Sequence, residues 1–205
     1  MARCVLARMD RAAAARIVVL VAGDQPAPTE EVAVYASLHP FTHQPPGPDT
    51  LRPGGPPSGH VVLRSADGVL DQVLAFWETS GAGYVVVDSH EGMAVAEPPT
   101  HAMVLWFDGP RSAAQAAADQ VAGSRIAPAV QQVPGVVRTW VLRADDLGYL
   151  TVSLVTSPDV PAAIQDVAMS TELLPGEDPA LLSGPDRMAV LSVERCELPA
   201  VAGAR

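Results

Sequence analysis

The clearest alternation of apolar and polar positions lies in the second half of the chain. HAMVLWFD, residues 101–108, is an apolar run of strand length that stops at Asp108, Gly109 and Pro110, a helix-entry signal. The alanine-rich stretch 111–132 then predicts a helix, with Val121, Ile126, Val130 and Val133 near helical spacing and Gly123 and Pro128 expected to bend or break it. Residues 136–143 and 149–156 read as a hairpin around a turn at 144–148, because Tyr149, Thr151 and Ser153 alternate with Leu150, Val152 and Leu154. Val160, Ile164 and Val167 make one helical stripe after Ser157-Pro158-Asp159, and a turn-rich stretch leads to a last strand at 187–194. The order is β-α-β-β-α-β.

That order is the ferredoxin-like unit. The first half can be laid on the same template: 16–24 as a strand, 29–38 as a helix, and 58–68 and 70–80 as strands. The anchors are a repeated Val-Leu-Arg before a short acidic turn and two strands closing on Thr-Ser, at Thr79-Ser80 and Thr156-Ser157. In 81–97 the template wants a helix and then a strand, but Gly81, Gly83 and a run of valines favour a strand, so that helix is short or absent. The expected layout is a flexible N-terminal arm at 1–15, module 1 at 16–98, module 2 at 99–196 and a C-terminal tail at 197–205. Within module 1, residues 39–58 carry seven prolines and read as a stiff inserted loop joining the first helix to the second strand.

Composition narrows the chemistry. The 205 residues carry a net charge of -10, so the long-range field opposes nucleic acid and anionic membranes. All 13 basic residues are Arg, which removes lysine Schiff bases, a pyridoxal anchor and a Walker-type lysine. The apolar run 17–23 is far shorter than a bilayer requires and has no cleavage site behind it, so the chain is read as cytoplasmic, with Met9 an alternative start. Cys4 and Cys196 form no ligand-like spacing and read as free thiols, or as a terminal staple. No nucleotide-binding loop or nucleophile elbow is present, so the expectation is no cofactor.

Phe76-Trp77-Glu78-Thr79-Ser80 after a strand, Pro134-Gly135 before a strand, and an acidic turn ahead of Gly148-Tyr149-Leu150 resemble the dimeric α+β barrel superfamily, its antibiotic biosynthesis monooxygenase branch above all. The resemblance covers about 16–97 and 101–194. It implies an α+β fold in which two tandem ferredoxin-like βαββαβ modules press their open sheet faces together into an intrachain barrel, each covering its other face with two helices. A second copy of the sheet buries the apolar face that one copy leaves bare. The functions implied are cofactor-independent oxygenation of an aromatic, polyketide-type molecule in secondary metabolism, polyketide cyclase or lyase chemistry, haem degradation, or ligand binding or assembly without catalysis. The haem-degrading pattern uses an asparagine, and this chain has none.

The candidate residues follow. Trp77, Trp106, Trp140 and Tyr149 fall on strands and serve as core or as a stacking shelf for a small aromatic substrate. Parity places Arg138, Trp140 and Leu142 on the barrel side and Val137, Thr139 and Val141 toward the helices, with Arg138 beside Trp140 able to neutralise a phenolate or to sit in a rim ion pair. His101 is the leading candidate base, with Asp108, His90 and His60 as others. His39 and His43 are four apart, but Pro40 between them makes a helical metal pair doubtful; exposed loop histidines, or a pocket lid from His43 or His60, are the other readings. No metal site is assigned, and a homodimer stays open.

Overall fold

A computed structural model describes residues 33–51, 55–78, 81 and 83–198. Among these residues eight strands, β1 (Tyr35–Pro40), β2 (Gly59–Arg64), β3 (Gln72–Trp77), β4 (Tyr84–Glu91), β5 (His101–Phe107), β6 (Val136–Arg143), β7 (Tyr149–Val155) and β8 (Arg187–Glu197), close into one antiparallel barrel. Around it the strands run β1-β3-β2-β8-β5-β7-β6-β4 and back to β1.

That order is two copies of one pattern. Within β5–β8 the sheet reads fourth-first-third-second, the ferredoxin-like arrangement, and within β1–β4 it reads the same. Each set's second strand pairs with the other's fourth, β2 with β8 and β6 with β4. Closure leaves no unpaired edge.

The second set carries its two helices, α1 (Ala113–Gln131) and α2 (Val160–Ser170). Ser112 caps α1 reciprocally with Gln115, each side chain accepting the other's backbone N–H. The expected break at Gly123 or Pro128 does not occur: α1 runs through both, because one lost backbone bond is outweighed where Ile126, Val130 and Val133 pack with Met103 and Ile164. Val121 is not part of that stripe and stays exposed.

The first set departs from its expected form. Residues 35–38, expected in a helix, begin β1, whose Ala36 and Leu38 point inward while Tyr35 packs outward. The expected strand 16–24, the arm 1–15, Cys4 and most of the tail lie outside the described residues. The proline-rich segment therefore joins first strand to second, the place α1 holds in the other half. Leu51, 2% exposed, seals the outer face there against Val62, Val73, Ala75 and Trp77. Between β3 and β4 the chain has only residues 78–83, in line with the weak helix signal after Ser80.

The interior is filled. Alternating residues of all eight strands meet there, Phe76, Trp140, Leu142, Val104 and Val152 among them, each at most 3% exposed. An eight-stranded barrel is just wide enough for its own side chains. A bulge between Val136 and Arg138 turns Val137 inward as well, against the simple parity expectation, whereas Thr139 faces outward and hydrogen-bonds Ser153 at 2.9 Å. One end, called lower here, is closed by the turn 92–97: Gly92 and Ala94 donate backbone hydrogen bonds to Val137 and Val136, and Ala94 enters the interior cluster. Among the described residues no helix is long and apolar enough to cross a membrane.

Candidate functional site

Among the described residues no turn closes the other end in this way. A cleft of about 120 Å³ lies there, lined by Tyr84, Trp106, Phe107, Asp108, Asp146 and Tyr149 with the backbone of Gly109, Ala144 and Gly148. Strand alternation supplies its walls. Trp106 is the last inward residue of β5 and Tyr84 the first of β4, while Phe107 and Tyr149 are cross-strand partners on the outer side. The latter two rings stack at 4.0 Å and 11°, and the Arg111 guanidinium lies 5.3 Å from each centroid.

Two carboxylates flank these rings. Asp146, in the β6–β7 turn, accepts the Gly148 N–H at 3.0 Å. A Cβ at Gly109 would fall 2.6 Å from the Asp146 carboxylate, so only glycine lets that carboxylate sit where it does. Asp108 receives both Nε and Nη2 of Arg187 at 3.0 Å, and its own N–H donates to Asp186 at 2.8 Å. Arg187 pairs across from Trp106, and its guanidinium sits 4.9 Å from that indole. Both members of the Asp108–Arg187 pair are about half exposed.

The local field has a sign. Hydrogen bonding from Arg187 holds the Asp108 carboxyl below its usual range. The Tyr84 phenol is pushed up, first by burial and then by Asp108 and Asp146, with Arg187 opposing. Tyr149 is pushed up well beyond the ordinary phenol, again mainly by burial, with Asp119 adding and Arg111 opposing. Burial also raises Asp119 above the usual carboxylate range despite Arg111 at 3.2 Å.

Of the residues singled out in the sequence, Trp106, Tyr149 and Asp108 meet at this cleft. The expected catalytic set of His101, Arg138 and Asp108 does not assemble. His101 is at the opposite end of β5 from Asp108 and alternates with the inward Ala102, so it faces outward, its ring 2.8 Å from the Thr100 hydroxyl. Arg138 lies at the lower end, paired with Glu91, its guanidinium 5.9 Å from the Trp140 ring. Trp140 does face the interior as parity requires, but it is 3% exposed, packs 5.0 Å from Phe76 in the core and is not among the residues that line the cleft.

Trp77 faces out, beneath the proline-rich segment, where its indole donates to the Gly55 carbonyl at 3.2 Å and lies 6.2 Å from His39. Burial lowers the His39 pKa. His60 is buried on the same outer face, 3.6 Å from Glu197. His43 is exposed with φ 69°, and its backbone carbonyl, not its ring, receives Arg64. His90 pairs with Asp88 at 2.8 Å on the surface. No histidine thus reaches the cleft. Sequence reasoning missed Tyr84, Asp146 and Arg187; the signals were the acidic turn before Gly148 and the arginine that opens the last strand.

No known protein family matches the sequence, and no curated protein matches it. Solved structures are similar to it. A heme-degrading enzyme from Listeria monocytogenes is 12% identical at a TM-score of 0.41, over 78% of this chain and 98% of that one. A ferredoxin-fold protein related to antibiotic biosynthesis monooxygenases, from the same organism, is 12% identical at 0.44 over 80% and 94%. An anthrone oxidase-like protein is 11% identical at 0.46 over 82% and 92%. These are similarities of fold, at identities too low to transfer the role of any residue.

Proposed function

We propose that the protein binds a small aromatic molecule at the open mouth of the barrel, with Trp106 and Tyr84 as the walls that hold it. One observation carries this reading: the interior is packed with side chains, yet at the mouth two inward rings and two carboxylates border unfilled volume. Stacking on Trp106 supplies affinity, and the polar groups of the rim set orientation. Titration calorimetry with a panel of one- and two-ring aromatics tests it. Binding that Trp106→Leu abolishes without loss of fold is expected; binding indifferent to that change overturns the reading.

Cofactor-independent oxygenation of a polyketide-type aromatic is the second reading. In its favour Arg187 offers a counter-charge 4.9 Å from Trp106, against which a phenolate could form. Burial, joined by Asp108 and Asp146, weighs against it, because the surroundings of Tyr84 hold a phenol protonated rather than ionised. Cyclase or lyase chemistry finds no histidine in the cleft to act as base, and hydrogen bonding from Arg187 holds Asp108 below the usual carboxylate range, which makes it a weak one. Oxygen consumption with phenols and anthrones decides: none is expected, and uptake abolished by Trp106→Leu would establish the oxygenase.

A further inference from the structure

Resting on the reading of the mouth as a binding site, we propose that its ligand is an organic cation, an amine protonated at neutral pH on an aromatic or short alkyl body. The walls are four aromatic rings, Tyr84, Trp106, Phe107 and Tyr149, joined by two carboxylates, Asp108 and Asp146. Aromatic faces attract cations through their quadrupoles, and carboxylates add direct Coulomb attraction.

The molecule already shows the arrangement in use. Arg187 lays its own guanidinium 4.9 Å from the Trp106 centroid and gives two hydrogen bonds of 3.0 Å to Asp108. A ligand ammonium takes the place of this guanidinium, and Arg187, whose side chain is 54% exposed, turns out into water. The exchange keeps the local charge count. Its cost is one half-exposed ion pair, which is small. An anionic ligand would instead meet Asp146, while Arg187 is already committed to Asp108 and Arg111, behind the Phe107 and Tyr149 rings, to Asp119. The upward push of Asp108 and Asp146 on the Tyr84 phenol, larger than the opposing effect of Arg187, reports the same net negative field. The chain's charge of -10 draws cations toward it.

Three probes on one phenyl body separate charge from shape: phenethylamine, its near-isostere 2-phenylethanol, and phenylacetate, titrated calorimetrically into the full chain at neutral pH. The amine is expected to bind about tenfold more tightly than the alcohol, the sum of one cation–π contact and one screened ion pair, with phenylacetate weakest. Arg187→Gln removes the internal competitor and strengthens amine binding several-fold, whereas Asp146→Asn weakens it several-fold. Equal affinity for amine and alcohol overturns the cation and leaves the aromatic site standing. Tightest binding by phenylacetate, or amine binding unmoved by Asp146→Asn, likewise overturns it. If no probe binds, both readings fall.

Discussion

Trp140→Ala separates a packed barrel from a hollow one. Trp140 is 3% exposed, lies 5.0 Å from Phe76 and carries the Arg138 guanidinium at 5.9 Å. A buried tryptophan removes roughly 150–250 Å² from water, which at about 25 cal/mol/Å² amounts to about 4–6 kcal/mol. Truncations of this kind cost about 3–5 kcal/mol when the void cannot collapse. Closure argues against collapse, since every neighbouring strand is hydrogen-bonded on both sides. The expected loss is therefore about 4 kcal/mol, a fall of roughly 8–16 °C in Tm for a domain of this size. Urea unfolding of the variant and the parent measures it, with aromatic binding followed alongside. A loss under about 1 kcal/mol with binding abolished would mark Trp140 as a ligand wall over an empty lumen and refute the reasoning.

Other expectations follow from single positions. A Cβ at Gly92 would fall 2.2 Å from the Val136 carbonyl oxygen, so Gly92→Ala should force apart the turn closing the lower end and cost about 1–3 kcal/mol by urea titration. Gly109→Ala displaces the Asp146 carboxylate, and should weaken amine binding while leaving the midpoint of unfolding little changed. Ser112→Ala removes the reciprocal cap of α1 and should cost about 1 kcal/mol, read by thermal melts. Asp108 titrates below the usual carboxylate range when folded, so its pairing with Arg187 stabilises the fold above that range and the contribution is lost as pH falls through its own pKa. An exposed pair is worth less than about 1 kcal/mol, so Asp108→Asn should melt slightly earlier than the parent at neutral pH and together with it in acid.

The second half was legible because its residues agree at every level. Residues 149–154 alternate, Ser112 and Gln115 sit where a cap needs them, and Ile126 and Val130 share a stripe. The first half was misphased by one element. Residues 35–38 are short and flanked by residues that suit either periodicity, and what makes them a strand is the need for a partner between β3 and β4, a long-range fact. The prolines by themselves mark 39–58 as a covering loop; that it stands in a helix's place follows only from the strand order.

At the site, parity correctly turned Trp140 inward, but only the packing of Phe76 against it shows that inward means core. The same count applied along β5 separates His101 from Trp106 by an odd number of residues, and thus onto opposite faces, so that misplacement was avoidable from the sequence. Arg187 and Tyr84 were not avoidable losses in this sense. Each joins the mouth only because β8 and β4 begin at the same end of the barrel where β5 stops, which no local pattern encodes.

The most direct measurement is a nuclear magnetic resonance titration of the full chain with phenethylamine, following the three indole N–H signals. The Trp106 signal is expected to move with the amides of Gly109 and Gly148 while those of Trp77 and Trp140 stay in place. Movement of Trp140 in place of Trp106 would mean that the ligand enters a lumen this structure shows to be filled, and would contradict the account.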